Sequence, residues 1–202
     1  MKDWTGVGRR SIYAPLGASG HSMHERQVHD YYATSPVAVD YLFHVIGNDL
    51  SGSVWECACG AGHLSKRMHE LRPDLIIKNS DIHDRGFPCE IIDFLKYHNP
   101  NSFDGDIITN PPYRYAQQFV QKALQTVCSG RLVCMFLKLT FLEGKSRRRL
   151  FAAYPPKTVY VFSHCIKCAI NGNFNAIQSS AVAYAWFVWQ KGFCGETVLK
   201  WL

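Results

Sequence analysis

The tetrapeptide Asn110-Pro111-Pro112-Tyr113 brings together a side-chain amide, two backbone units without donors and an aromatic face. Each proline fixes φ and removes an N–H. The segment therefore presents carbonyls and the Asn110 side chain as acceptors. Such a site can hold a planar amino group by both its hydrogens, with Tyr113 stacked on the ring that carries it. A second constellation is Glu56-Cys57-Ala58-Cys59-Gly60-Ala61-Gly62. Glycine lets a backbone approach a ligand closely, and a carboxylate beside it can fix a polar or cationic group. The third glycine of the dinucleotide fingerprint is missing. Two further acids come later in the chain. Asp81 is placed to accept hydrogen bonds from ribose hydroxyls. Asp93, in Asp93-Phe94-Leu95, is placed to accept from an adenine amino group, with Phe94 against the ring.

Elements must bring these groups together. Apolar runs at 53–58, 75–81, 90–93, 106–110, 131–139, 158–162 and 181–189 read as seven strands. Helical patterns follow Pro36, with Thr34 or Ser35 as its cap, and cover 64–71, 115–127 and 145–153. Alternating strands and helices imply an α/β fold, a mostly parallel sheet with helices on both faces. The last two strands lack a helix between them and read as a C-terminal antiparallel hairpin at one edge, with 163–180 as its loop. In such sheets ligands sit at the carboxyl ends of the strands. Each of these constellations stands at such an end.

In this order the motifs resemble those of the class I S-adenosylmethionine-dependent DNA N6-adenine methyltransferases, particularly the small phage and prophage enzymes. Tyr32-Ala33-Thr34-Ser35-Pro36 is similar to the N-terminal Thr-Pro cofactor motif, and residues 56–62 to the glycine-rich motif. Asp81 and Asp93 resemble the acidic ribose and adenine positions, and residues 110–113 the catalytic Asn-Pro-Pro-Tyr. Ser35 stands where a first proline is common. The resemblance covers about residues 30–113 and implies a Rossmann-like domain. It implies S-adenosylmethionine held by Tyr32, Thr34, Pro36, Glu56, Ala58, Gly60, Gly62, Asp81, Ile82, Asp93, Phe94 and Asn110. It also implies direct in-line transfer to adenine N6. The Asn110 side-chain oxygen and the Pro111 carbonyl take the amino hydrogens, Tyr113 stacks on the flipped base, and no metal is needed.

Composition agrees with a polyanion partner. The chain has 202 residues, 22 Lys plus Arg against 16 Asp plus Glu, and a net charge of +6. The longest apolar run falls well short of the ~20 residues a membrane helix needs. The first residues lack the apolar stretch of a signal peptide, so a cytoplasmic protein is expected. The expected organisation is an N-terminal arm at 1–28 and one methyltransferase domain at 29–202, with no separate target-recognition domain. The basic run Lys145, Arg147, Arg148, Arg149 and the loop residues Asn171, Asn173 and Phe174 are the expected DNA contacts. Gly144-Lys145-Ser146 is not a phosphate loop, because Leu139 stands where the motif needs glycine. The eight cysteines lack two paired zinc clusters. By the same resemblance, RNA adenine N6, cytosine N4 and protein glutamine remain alternative acceptors. A non-catalytic nucleic-acid-binding module is a further alternative. A nicotinamide oxidoreductase would fit the fold but leave residues 110–113 unexplained.

Overall fold

The computed structural model describes residues 32–166, 168–170 and 182–202. Eight strands form one sheet: β2 (Ser53–Glu56), β3 (Ile76–Asp81), β4 (Glu90–Ile91), β5 (Asp106–Thr109), β6 (Leu132–Lys138), β7 (Thr158–Val161), β9 (Tyr184–Gln190) and β10 (Val198–Trp201). Their order is β10-β7-β9-β6-β5-β2-β3-β4. All neighbours are parallel except β9, which is antiparallel to both β6 and β7. Two short strands, β1 (Tyr32–Thr34) and β8 (Cys168–Ile170), pair separately, with Thr34 opposite Cys168. The expected arm at 1–28 lies outside the described residues.

The central strands are apolar on both sides because both sides are covered. On one face, helix α1 (Val37–Ile46) buries Ala38, Val39, Leu42 and Ile46. Helix α2 (His63–Leu71) adds Leu64 and Met68. They share a core with Val54, Ile108, Phe136 and Trp186. On the other face, α3 (Ala116–Thr126) buries Phe119, Val120, Ala123 and Leu124. Helix α4 (Lys145–Ala153) adds Leu150, and these meet Trp55, Ile107, Val133 and Phe187. Strand residues i and i+1 thus serve opposite cores, as the two-residue side-chain period demands. The aromatic residues of β9 are core, and Trp186 Nε1 donates to the Ala38 carbonyl at 2.7 Å. Asp106, 1% exposed, accepts the N–H groups of Ser51 and Leu132, both at 2.7 Å, and so ties the start of β5 to two neighbouring segments.

Three details depart from expectation. The sheet has eight strands, not seven, because β10 joins β7 in parallel at the edge. All four of its residues are exposed, so they carry no inside–outside alternation to read. The β7–β9 antiparallel pair forms, but β9 lies between β6 and β7 rather than at an edge. Finally, α1 starts at Pro36 with no side-chain cap. The Thr34 hydroxyl is engaged instead by the side chain of Asn110.

Candidate active site

The chain runs from β2 outward to β3 and β4, then returns to β5 on the other side of β2. This reversal opens a crevice at the strand ends. A cavity of about 1250 Å³ occupies it. Its walls include Glu56, Ala58, Asp81, Ile82, Asp93 and Phe94, the whole of residues 110–113, and Thr34. The three acidic positions and the tetrapeptide, far apart in sequence, share one space.

The turn after β2 is shaped by its glycines. Gly60 has φ +55° and Gly62 φ +75°, conformations that side chains with a Cβ rarely adopt. At Gly62 a Cβ would also stand 2.4 Å from the Phe87 ring. The Cys59 N–H donates to the Ser80 carbonyl at 3.0 Å, and the Gly60 N–H donates to Asp81 Oδ2 at 2.8 Å. Asp81 Oδ1 accepts from the His83 N–H at 2.9 Å. Asp81 therefore braces the glycine turn against the end of β3. A carboxylate oxygen can accept more than one hydrogen bond, so this side chain keeps acceptor capacity while lining the cavity.

Glu56, at the end of β2, is 2% exposed and is contacted by the Ser65 hydroxyl of α2. Burial raises its pKa from 4.5 to about 8, opposed by the Ser65 hydrogen bonds. Asp93 starts a short 3-10 turn, accepting from the Leu95 N–H at 3.1 Å and pairing with Lys96 at 3.1 Å. Phe94 is only 2% exposed, its ring against Trp55 and Phe119. Most of its area serves the core, and Ile82, 52% exposed, offers more apolar surface on that wall.

At the end of β5, Asn110 Nδ2 donates to Thr34 Oγ1 at 2.8 Å. Thr34 is 2% exposed and 76 positions away in sequence. The bond holds the amide in place, with its nitrogen toward Thr34 and its oxygen on the other side. The Pro112 carbonyl accepts from the Tyr115 N–H at 2.8 Å, closing a 3-10 turn. Of the two proline carbonyls, the turn consumes that of Pro112. The Tyr113 hydroxyl is buried toward Cys168 and Tyr184, and burial raises its pKa well above the usual value. Tyr113 itself lines the cavity.

The other expected residues fare differently. Tyr32 is placed by its backbone, opposite Ile170, and Pro36 opens α1. Lys145, Arg148 and Arg149 are exposed on α4. Arg147 turns back to donate to the Thr140 carbonyl at 2.6 Å and lies over the Phe141 ring. It braces its own loop. None of these four belongs to the cavity wall. Lys145 and Arg149 instead line a smaller groove of about 460 Å³ with Gln117 and Gln121 of α3. Asn171, Asn173 and Phe174 lie outside the described residues. Sequence reasoning missed Arg85 and Arg114 in the wall, and Ser65 behind Glu56. It also missed the part Thr34 plays for Asn110, for which a separation of 76 residues leaves no local signal. Among the described residues, no three His, Cys, Asp or Glu side chains converge as a metal site. No described helix is long and apolar enough to cross a membrane.

Solved structures share this arrangement of strands and helices. The fold is that of the Rossmann-like methyltransferases. A Listeria monocytogenes protein assigned to the class I S-adenosylmethionine-dependent methyltransferases superimposes with a TM-score of 0.57 at 12% identity, over 82% of this chain and 63% of its own. The methyltransferase subunit of a type I restriction-modification system from Streptococcus thermophilus gives 0.58 at 13%, over 86% of this chain and 48% of its own. An S-adenosylmethionine-dependent O-methyltransferase from Thermotoga maritima gives 0.55 at 8%, over 80% and 67%. The chain thus spans less than two thirds of the first two proteins. No family model and no curated protein matches the sequence. A shared fold does not fix function, which lives in the site the fold carries.

Proposed function

We propose that this chain is a methyltransferase that uses S-adenosylmethionine to methylate the N6 amino group of adenine in DNA. One observation carries the reading. A side-chain amide, held by a buried hydroxyl, stands beside a Pro-Pro backbone in the same cavity as Ala58, Cys59 and His63, which flank the glycine turn, and the acids Asp81 and Asp93. The volume, about 1250 Å³, exceeds that of a pocket for one drug-sized ligand, roughly 300–1,000 Å³. It suits a cofactor and an acceptor side by side.

The residues fit the cofactor. The left-handed Gly60 and Gly62 keep side chains out of the turn, and Phe87 fills the space behind Gly62. Asp81 and Asp93 suit a cationic nucleoside with ribose hydroxyls and an adenine amino group, and Glu56, kept largely protonated near neutral pH by burial, adds a polar contact beside them. Ala58 and Ile82 supply apolar wall. When bound, the cofactor would supply an electrophilic methyl group on sulfonium sulfur and leave as the neutral thioether, with the proton displaced from the amino nitrogen lost to solvent.

The chain's own residues supply position and acceptors. The Asn110 oxygen and the Pro111 carbonyl take the two amino hydrogens of the acceptor. This draws the nitrogen toward a tetrahedral geometry in which its lone pair can attack. Thr34 holds the amide in the required orientation. Tyr113 offers its ring to the unstacked base, a contact worth about 1–3 kcal/mol. Its raised pKa keeps the phenol neutral at ordinary pH, so it is no general base. The work is alignment and fixed dipoles.

The net charge of +6 and the exposed Lys145, Arg148 and Arg149 support a nucleic-acid acceptor over a protein one. The restriction-modification neighbour supports DNA by analogy of fold. The test combines the protein, S-adenosylmethionine and unmethylated duplex DNA, then identifies modified nucleosides by mass spectrometry. N6-methyldeoxyadenosine is expected. N4-methyldeoxycytidine alone would overturn the choice of base. Product on RNA or protein but none on DNA would overturn the acceptor.

A further inference from the structure

The Tyr113 ring has a charged neighbour. Lys138, the last residue of β6, holds Nζ 4.8 Å from the ring centre. A cation over an aromatic face is attracted by its quadrupole, which explains why a long side chain settles there. Among the described residues, no carboxylate lies within ion-pair distance of Lys138. The ammonium thus rests on a neutral ring rather than on an acid of the described chain.

Basic groups stand near the tetrapeptide. Arg114 lines the side of β5, and Lys138 stands behind Tyr113 on β6. The side of β2, β3 and β4 is mixed, with Asp81 and Asp93 beside Arg85 and Lys96. Among the described residues no acid lines the cavity on the β5 and β6 side, which suits an anionic acceptor. Four carbons let the Lys138 head travel several ångströms without moving its backbone.

We propose that Lys138 is a specificity-determining residue: its ammonium leaves the Tyr113 face for the phosphodiester of the nucleotide whose base is presented to Asn110. This rests on the reading of the acceptor as a polynucleotide. A neutral amide acceptor would offer the ammonium nothing in exchange for the ring. The residue thus favours phosphate-bearing acceptors over protein side chains or free nucleosides.

Oligonucleotide binding across a salt series, by fluorescence anisotropy, tests this in the wild type, Lys138→Gln and Lys138→Arg. Steady-state methylation is measured in parallel. Loss of one phosphate contact should reduce the slope of log K against log salt by about one. Lys138→Gln should show that reduction, with about 5–20-fold weaker binding at low salt. Its cofactor affinity should match wild type, and Lys138→Arg should restore the slope. A wild-type slope in Lys138→Gln, with wild-type DNA methylation intact, overturns the role of Lys138 and leaves the polynucleotide reading standing. Loss of cofactor binding in Lys138→Gln assigns the lysine a structural part and also overturns it. A wild type that binds cofactor but methylates no polynucleotide overturns both.

Discussion

The proposed reaction asks Asn110 for a fixed amide. The 2.8 Å bond from Nδ2 to Thr34 holds that side chain, with the nitrogen turned to the hydroxyl. Asn110→Ala should abolish transfer and largely spare cofactor affinity, as read by single-turnover methylation and calorimetry. Thr34→Val removes the hydroxyl but keeps the shape. It should lower kcat by roughly 10–100-fold, the scale of a misplaced catalytic group, and Thr34→Ser should restore most of it. Asp93→Ala should weaken cofactor binding by calorimetry; it also removes a turn cap, costing about 1 kcal/mol. Glu56 gives a pH dependence of opposite sign to most carboxylates. Its folded pKa, about 8, lies above its ordinary 4.5. Its contribution is fully present below pH 4.5 and is lost as pH rises to about 8, because the unfolded chain ionises first. Glu56→Gln should flatten the fall in melting temperature between those values. A variant that melts with the same pH profile as wild type would remove Glu56 as its source.

Turns, more than strands, define the site at the level of elements. The loop from β2 to α2 is held to the end of β3 by two hydrogen bonds, one to the Ser80 carbonyl and one to Asp81. Its glycines answer both a dihedral and a steric demand. Gly62→Ala should destabilise by about 1–3 kcal/mol, from the left-handed φ and the Phe87 clash together. Adding Phe87→Ala should relieve only the steric share, so thermal melts of the single and double variants separate the two. The β5 loop was legible for the opposite reason. Two prolines in succession end a strand visibly, and the loop after a buried parallel strand lies at the ligand-binding edge. The glycine turn and the acids at the ends of β2 and β3 could be read in the same way. Strand β10 could not, since four exposed residues show neither a run nor an alternation.

On the scale of the whole molecule, β9 locks the two halves. Inserted antiparallel between β6 and β7, it sends Trp186 to one core and Phe187 and Trp189 to the other. Trp186→Phe would delete buried volume and the indole hydrogen bond to the Ala38 carbonyl, which keeps its helical partner. A loss of about 2–4 kcal/mol is expected by denaturant unfolding. The sequence alone determined the fold class, most of the strands and helices, and several residues that the structure gathers round one cavity. These follow from periodicity, from glycine and proline stereochemistry, and from the rule that parallel strands end on one side. Only the tertiary structure decided the strand order, the Thr34–Asn110 bond, the Asp81 brace on Gly60 and the Lys138–Tyr113 contact. Each joins residues from separate elements, and the distance between two elements depends on how every intervening segment packs, which no local pattern encodes.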